Sequence, residues 1–262
     1  MAKVIVIGAG PAGIMAAIHA SKKHNVTILD GNDRIGKKLF ITGKGRCNVT
    51  NSKDISEFFD YIPGNPHFLY SALYSYTNED TMNFFENVGI KLKVERGGRV
   101  FPMSDKSSDI IKGLSIGLKE SNVQVKLNSK VTNIIYDANK IVGVEINNST
   151  KLYGDYFIIA TGGASYPLTG SRGEGQKFAK KLGHTIIELK PSLVPIELNE
   201  SWLKDLMGLS LKNISLSILK NNKVLYKNQG EMLFTNYGIS GPLVLSGSRY
   251  VKNEGSYEAS ID

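Results

Sequence analysis

The sequence predicts an α/β protein in two parts: a domain built on a parallel sheet over residues 1–190, and a mostly antiparallel β domain over residues 191–262. A strand–helix–strand unit that begins at residue 3 supports the first part, together with a second apolar strand at 155–159. The second part is indicated by the alternation of polar and apolar residues beyond Pro191.

The elements can be predicted in order from these patterns. Residues 3–7 are apolar and β-branched, as in a strand buried on both faces, 11–23 suit a helix, and 26–29 form the next strand. The later elements of the first domain are a loop at 31–54, helices at 66–75 and 78–88, a β-meander at 123–127, 130–137 and 140–146, a buried strand at 155–159, and a helix at 173–182 that Gly183 ends. In the second domain, 215–220 and 223–226 alternate as strands.

Composition excludes several classes of protein. Cys47 is the one cysteine, so no internal disulfide can form, and the four scattered histidines show no metal-ligand spacing. The uncharged stretch 4–20 contains glycines and is shorter than the ~20 apolar residues that span a bilayer. We therefore expect a soluble cytoplasmic protein with no metal and no membrane partner, while its oligomeric state stays open.

The net charge of +8 permits two interpretations. It suits an ordinary basic surface, and it also suits attraction to phosphate-rich partners, from nucleotides to nucleic acid. No run of clustered Lys and Arg with interleaved aromatic residues supports nucleic acid. The sequence therefore favours a small-molecule partner.

A glycine-rich turn between the first strand and the first helix matches G-x-G-x-x-G through Gly8, Gly10 and Gly13, with Pro11 and Ala12 between them. Gly8 allows the sharp turn, Gly10 lets a diphosphate approach the backbone, and Gly13 lets the helix pack close to the sheet. The start of the helix offers unpaired N–H groups and a partial positive charge. This turn is therefore a candidate dinucleotide site.

Asp30 ends the second strand, seventeen residues after Gly13, where an acidic residue can accept hydrogen bonds from ribose hydroxyls. A carboxylate there repels the 2′-phosphate of NADP. The choice between FAD and NAD depends on the strand at 155–159, which ends in Ala160-Thr161-Gly162-Gly163. This strand and turn resemble the second FAD-contact motif of flavoproteins with two dinucleotide-binding domains.

Further segments resemble a bacterial family of FAD-binding oxidoreductases described as aminoacetone-oxidase-like or 3-dehydro-bile-acid-reductase-like. The resemblance runs through essentially the whole chain, and its most specific motif is the block from Gly45 to Asn48. The segments that carry it are 36–39, 42–51, 99–102, 162–167 and 234–242.

This resemblance implies a Rossmann-type FAD domain interrupted by an inserted β domain, with a loop over 37–51 that wraps the flavin. It also implies that Val131 pairs with the adenine, and that Lys44 points away because relatives carry glycine there. Together with the glycine turn, it predicts FAD contacts at Gly8, Gly10, Pro11, Ala12, Gly13, Asp30, Gly31, Lys37, Lys38, Thr42, Gly43, Gly45, Arg46, Cys47, Asn48, Val131, Ala160, Thr161, Gly162 and Gly163.

Members of this family continue beyond the position of Asp262 with a segment that closes the flavin site. The chain is thus expected to be a fragment, a truncated protein or a degenerate gene product, and its own activity is open. Among charged loop residues, Arg46 is expected to serve the cofactor, whereas Lys37 and Lys38 suit that role and solvation equally. The glycine-rich segment 170–175 is expected to be structural.

Three functions follow from these motifs. The first is an FAD-dependent oxidoreductase acting on an unidentified small molecule, with NAD(P)H or oxygen as the second partner. Because no second G-x-G-x-x-G exists, NAD(P)H would visit the flavin only transiently. The alternatives are a non-catalytic FAD or nucleotide binder, and a flavoprotein that acts on RNA. No residue is singled out as catalytic.

Overall fold

The computed structural model describes residues 1–62, 64–138, 140–252 and 255–262. The chain divides into two compact units, Met1–Ile186 and Ile187–Asp262. The first unit contains, in chain order, β1 (Lys3–Ile7), α1 (Pro11–Ser21), β2 (Asn25–Leu29), β3 (Thr50–Asn51), α2 (Tyr70–Ser75), α3 (Asn78–Asn87), β4 (Leu92–Glu95), β5 (Arg99–Pro102), α4 (Ser107–Glu120), β6 (Gln124–Lys126), β7 (Val131–Asp137), β8 (Lys140–Ile146), β9 (Thr150–Tyr153), β10 (Tyr156–Ile159) and α5 (Glu174–Lys181).

The first unit is organised around a four-stranded parallel sheet in the order β10-β1-β2-β6. Alternate residues of β1 serve two cores. Val4 and Val6 pack with α1 and α4 on one face, whereas Ile5 and Ile7 pack with the sheet of β7, β8 and β9 on the other. Because both faces are covered, β1 is apolar at every position after Lys3.

The Rossmann-type α/β fold predicted from the sequence is confirmed, and additional antiparallel sheets accompany the parallel one. The meander was placed wrongly, however. Residues 124–126 form β6, which pairs with β2 in the parallel sheet, and the third strand of the meander is β9. The apolar strand at the end of the domain, β10, lies at the edge of the sheet, and Tyr156 and Ile159 are exposed.

The sequence analysis missed α4, which supplies much of one core. Its buried residues recur at helical spacing and include Ile110, Leu114 and Leu118. Gly113 and Gly117 lower its helix propensity. Both glycines are needed for packing, because a Cβ would lie 2.9 Å from Ile90 at position 113 and 2.8 Å from Phe84 at position 117.

In its described residues, the second unit consists of a five-stranded sheet and one short α-helix. Its longest strands are joined by Asn221 and Asn222, both with positive φ, as a two-residue type I′ turn requires. Among the residues that the structure describes, no helix combines the length and the apolar character needed to cross a membrane. The elements of this unit are β11 (Ile196–Glu197), β12 (Ser210–Lys220), β13 (Lys223–Thr235), β14 (Gly238–Ser240), α6 (Pro242–Gly247) and β15 (Glu258–Ile261).

Candidate functional site

A cavity of about 530 Å³ opens at the carboxyl ends of β1, β2 and β10. Ligands of open parallel sheets bind at this edge. We call it the sheet-edge cavity. Its wall consists of Ile7, Gly8, Ala9, Gly10, Pro11, Ala12, Leu29, Asp30, Gly31, Asn32, Gly36, Lys37, Lys38, Lys130, Val131, Ala160, Thr161, Gly162, Leu168, Thr169, Gly170, Ser171, Arg172, Glu174 and Phe178.

The glycine turn and the turn after β10 meet at the base of this cavity. Gly8 has a φ of +110°, and a Cβ there would lie 2.4 Å from the carbonyl oxygen of Ala160. A Cβ on Gly13 would lie 2.0 Å from the carbonyl oxygen of Gly8. Gly13 therefore does not line the cavity; it lets α1 pack closely against the turn, as predicted for this position.

The start of α1 faces this cavity with unpaired donors. No side chain of the described residues caps the helix, and Pro11 occupies its first turn. The N–H groups of Ala12 and Gly13 therefore lack intrahelical partners. A Cβ on Gly10 would meet no heavy atom within 4 Å, so the space in front of the helix start is open. Such an arrangement attracts a diphosphate.

Asp30 is already engaged by the chain. Its Oδ2 accepts a hydrogen bond from the Ala9 N–H at 2.7 Å, and its Oδ1 accepts two from Asn32, at 2.7 Å from the backbone and 2.9 Å from the side-chain amide. A carboxylate offers about four acceptor positions. The structure therefore leaves Asp30 room for one ribose hydroxyl, on Oδ2, rather than several.

Arg46, which the sequence assigned to the cofactor, is paired with carboxylates of the protein. Its guanidinium pairs with Glu95 and with Asp105, whose Oδ1 lies 2.8 Å from Nε, and it stacks 4.1 Å from the centroid of Phe101. The hydrogen bonds that the guanidinium donates to Glu95 and Asp105 raise the pKa of Arg46. Since two carboxylates already balance its charge, Arg46 fixes the loop around it and does not line the sheet-edge cavity.

Lys37 and Lys38 do line the cavity. The Nζ of Lys37 lies 3.4 Å from the Oδ1 of Asn32 and 3.8 Å from a carboxylate oxygen of Asp33. The Nζ of Lys38 donates to the Oγ of Ser165 at 3.2 Å, and no carboxylate among the described residues lies within ion-pair distance of it. Of these two lysines, Lys38 is therefore the one whose charge no carboxylate of the described residues balances.

The loop over residues 42–48 has an unusual backbone. Gly43, Lys44, Gly45 and Cys47 all have positive φ, and Lys44 is exposed and lines no cavity. Cys47 is 5% exposed, and burial raises the pKa of its thiol. Thr42, Cys47 and Asn48 line a second cavity, whereas Gly43 and Gly45 shape the loop without lining either.

The turn after β10 contributes more than the sequence suggested. Gly162, with a φ of +72°, lies in the cavity wall, and the carbonyl of Gly163 accepts a hydrogen bond from the N–H of Gly173. This bond holds the segment 170–175 beside the cavity, so the segment lines the candidate site in addition to the structural role predicted for it. The sequence signal for this placement was that the segment follows β10 in the chain, since segments that follow parallel strands lie at the carboxyl edge of the sheet. The wall residues missed for this reason include Gly170, Ser171, Arg172 and Glu174.

Val131 and Gly31 also line this cavity. A Cβ on Gly31 would lie 3.1 Å from the Cβ of Lys130, so β7 approaches the end of β2 closely. Asn32, which no sequence pattern marked, connects two walls: its amide donates to Asp30 and to the carbonyl oxygen of Thr169 at 3.2 Å.

Comparison with known proteins identifies the family. The sequence model described as "HI0933-like protein Rossmann domain" matches residues 2–241. The chain belongs to this family. It is 31% identical over 261 residues to the 3-dehydro-bile acid delta(4,6)-reductase of Clostridium scindens, covering 98% of the chain and 62% of that protein. It is 33% identical over 262 residues to the ribosomal RNA dihydrouridine synthase of Haemophilus influenzae, covering 98% and 63%.

The chain thus spans less than two thirds of the length of these curated relatives. Among solved structures, it resembles the flavocytochrome c3 fumarate reductase in its open conformation, with a TM-score of 0.52 at 19% identity over 81% of the chain and 47% of that protein. It also resembles the Mycobacterium smegmatis Sdh1 complex, with a TM-score of 0.53 at 16% identity over 85% and 46%. At these identities, the likeness shows the fold alone.

Proposed function

We propose that the sheet-edge cavity binds FAD and that the chain serves an FAD-dependent oxidoreductase acting on a small molecule. The observation that carries this proposal is the meeting of the 8–13 turn and the 160–162 turn on one cavity. The first turn offers the N–H groups and open space that a diphosphate requires, and the second lies directly beside it. A bound dinucleotide would contact both the 8–13 turn and the 160–162 turn.

The residues present fit the diphosphate, the ribose and the adenine of such a cofactor. The start of α1 would hold the diphosphate, Asp30 would accept one ribose hydroxyl, and Val131, which lines the cavity, would pair with the adenine through its backbone. Lys38 would add positive charge without first breaking an ion pair. FAD, when bound, supplies hydride transfer, and the protein orients the reactants and tunes the charge around it.

The substrate class is a further part of the proposal. The two relatives' names describe a reductase of the Δ4,6 bonds of a 3-keto steroid acid and an enzyme that makes dihydrouridine. In both reactants, a carbon–carbon double bond is conjugated with a carbonyl group. We therefore propose that an α,β-unsaturated carbonyl compound is reduced, with NAD(P)H as the transient hydride donor that re-reduces the flavin. Oxygen as the second partner fits only the reverse direction, in which the saturated carbonyl compound is oxidised.

Cofactor extraction tests the proposal directly. The protein is purified, its visible absorption is recorded, and the ligand released by denaturation is identified by mass spectrometry. We expect FAD in near-stoichiometric amount, and bleaching of its absorption when NADH or NADPH is added without oxygen. Purified protein that binds no FAD on reconstitution would refute the proposal. Binding without bleaching would support the non-catalytic alternative.

A second candidate is action on RNA, favoured by two relatives named ribosomal RNA dihydrouridine synthase, at 33% and 31% identity. The net charge of +8 suits such a partner. If RNA is the substrate, ribosomal RNA fragments bind with an affinity that falls steeply as salt is raised. A filter-binding titration at two salt concentrations separates this candidate from the small-molecule one.

A further inference from the structure

Asn32 lies between two walls of the sheet-edge cavity, three residues beyond the end of β2, and it is half-buried. Gly170, in the segment that follows β10, lies against its side chain: a Cβ at position 170 would be 2.6 Å from the Nδ2 of Asn32. Gly170 also has a φ of +99°, which side chains rarely permit. The backbone at position 170 therefore packs directly on the Asn32 amide, with no room for a side chain of its own.

Every polar group of the Asn32 side chain has a partner. Its Nδ2 carries two hydrogens and donates to the Oδ1 of Asp30 at 2.9 Å and to the carbonyl oxygen of Thr169 at 3.2 Å. Its Oδ1 accepts a hydrogen bond from the Nζ of Lys37 at 3.4 Å. These partners fix the orientation of the amide, since its nitrogen faces two acceptors and its oxygen faces an ammonium group. Asn32 is thus a rigid link between Thr169 and the carboxylate of Asp30.

This link gives the two oxygens of Asp30 different environments. Oδ1 accepts two hydrogen bonds from Asn32, one from the backbone N–H and one from the side-chain amide. Oδ2 accepts one, from the N–H of Ala9 at 2.7 Å. Each carboxylate oxygen has about two acceptor positions. Oδ1 is therefore saturated by the protein, whereas Oδ2 keeps one position for a ligand.

We propose that Asn32 is a positioning residue that makes Asp30 accept one ribose hydroxyl of a bound adenine dinucleotide rather than two. Asn32 acts through the carboxylate and needs no contact with the ligand. This inference rests on the proposed function, since it requires an adenosine group in the cavity. It adds a discrimination between the two neighbouring hydroxyls of the ribose, which contribute unequally to binding.

The size of this discrimination follows from the strength of the bond. A hydrogen bond to a charged carboxylate contributes more than one between neutral groups, and its loss leaves an acceptor of Oδ2 unpaired. A nucleotide without the hydroxyl that Oδ2 accepts should bind about tenfold more weakly. Loss of the other hydroxyl should change binding by no more than about twofold, because that group has no partner on Asp30 to lose.

Calorimetric titration of the apo-protein with ADP, 2′-deoxy-ADP and 3′-deoxy-ADP tests the assignment, because these probes carry the adenosine half of the cofactor and differ by one hydroxyl. In the wild type, we expect the dissociation constants of the two deoxynucleotides to differ about tenfold. Asn32→Ala keeps the backbone N–H but removes the amide, so that Asp30 can turn and offer either oxygen. In this variant the two constants should agree within about twofold.

The ratio of the two constants separates positioning from a purely structural role, since a general loss of affinity or stability raises both constants alike. The matched control is Asn65→Ala, which removes the amide of an exposed asparagine whose side chain makes no capping hydrogen bond. It should keep the wild-type ratio. If Asn32→Ala fails to fold, Asn32→Leu replaces it, because leucine keeps the bulk of the side chain and removes both donors.

Equal dissociation constants for the two deoxynucleotides in the wild type would overturn the proposal. An unchanged ratio in the folded Asn32 variant would also overturn it, as would protein that binds FAD but does not bind ADP. Wild-type protein that binds neither FAD nor ADP counts instead against the proposed function, so the two failures are distinguishable.

Discussion

Two loops of the first unit reach their shapes by opposite means. The glycine turn at 8–13 depends on the absence of side chains, since a Cβ on Gly8 or Gly13 would overlap a backbone oxygen. The loop at 42–48 depends on side chains that are present, above all Arg46 with its two carboxylate partners. The constraint on Gly13 comes from the nearby backbone of Gly8, and that on Gly8 comes from the backbone of Ala160. The second loop instead needs side-chain partners 49 and 59 positions away.

This difference leads to unequal sensitivity to substitution. Backbone overlap cannot be relieved without moving α1 or β10, because the atoms that would collide are main-chain atoms. Ion pairs at half-exposed positions are weakened by solvent and salt. We therefore expect the glycine turn to tolerate less than the loop at 42–48.

The largest expected effect is that of Gly13→Ala. The new Cβ would lie 2.0 Å from the carbonyl oxygen of Gly8, so α1 must move away from the turn. We expect the free energy of unfolding to fall by about 3 kcal/mol, the upper range for overpacking. Urea unfolding followed by circular dichroism measures it, with Gly10→Ala as the matched control. Equal midpoints for the two variants would show that backbone overlap does not define this turn.

A smaller loss is expected for Arg46→Ala, which removes both ion pairs and the contact with Phe101. The urea midpoint should fall, but by less than in Gly13→Ala, and Lys44→Ala should leave it unchanged because Lys44 is exposed. A midpoint for Arg46→Ala at or above that of the wild type would mean that the loop does not need its side-chain partners.

The difference in stability between the wild type and Arg46→Ala should depend on pH. Arg46 lowers the pKa of Glu95, and Lys93 followed by Arg46 lowers the pKa of Asp105. Depressed carboxyl pKa values stabilise the fold above the ordinary values of 4.5 and 3.8, and that stability is lost as the pH falls through the folded values. The stability advantage of the wild type over Arg46→Ala should therefore shrink on acidification. A gap that stays constant from neutral to acid pH would contradict the ion-pair account.

The smallest expected effect is a gain in stability when glycine is introduced, in contrast to the losses above. Tyr166 is exposed and has a φ of +52°, a left-handed conformation that glycine adopts more easily. Two bonds to its carbonyl oxygen, from the hydroxyl and N–H of Thr169, hold this turn. We expect Tyr166→Gly to be about 1 kcal/mol more stable than Tyr166→Ala in thermal or urea unfolding. Identical stabilities would show that the turn carries no backbone strain.

The local part of the fold was predictable from sequence because its causes are local. β1, α1 and β2 follow from apolar periodicity and the spacing of Gly8, Gly10 and Gly13. The pairing of residues 124–126 with β2 could not be predicted, since a short strand in which polar and apolar residues alternate does not reveal its partner. α4 escaped notice because Gly113 and Gly117 weaken its helical signal.

In the candidate site too, the residues of local motifs were predictable, whereas residues that depend on tertiary contacts were not. The turns around Gly10 and Thr161 were predicted, and the structure brings them to one cavity. Asn32 was missed because its bonds to Asp30 and Thr169 depend on tertiary structure. Arg46 was assigned to the cofactor on motif alone, and only the fold shows which carboxylates surround it.

Titration of FAD into apo-protein, comparing the wild type with Gly10→Ala, tests the central claim most directly. The Cβ that this substitution adds would meet no protein atom within 4 Å, so folding should be unchanged, yet it would occupy the space assigned to the diphosphate. We expect the dissociation constant of FAD to rise at least tenfold, about 1.4 kcal/mol. An unchanged dissociation constant in a folded Gly10→Ala protein would contradict the claim that this turn holds the cofactor's phosphates.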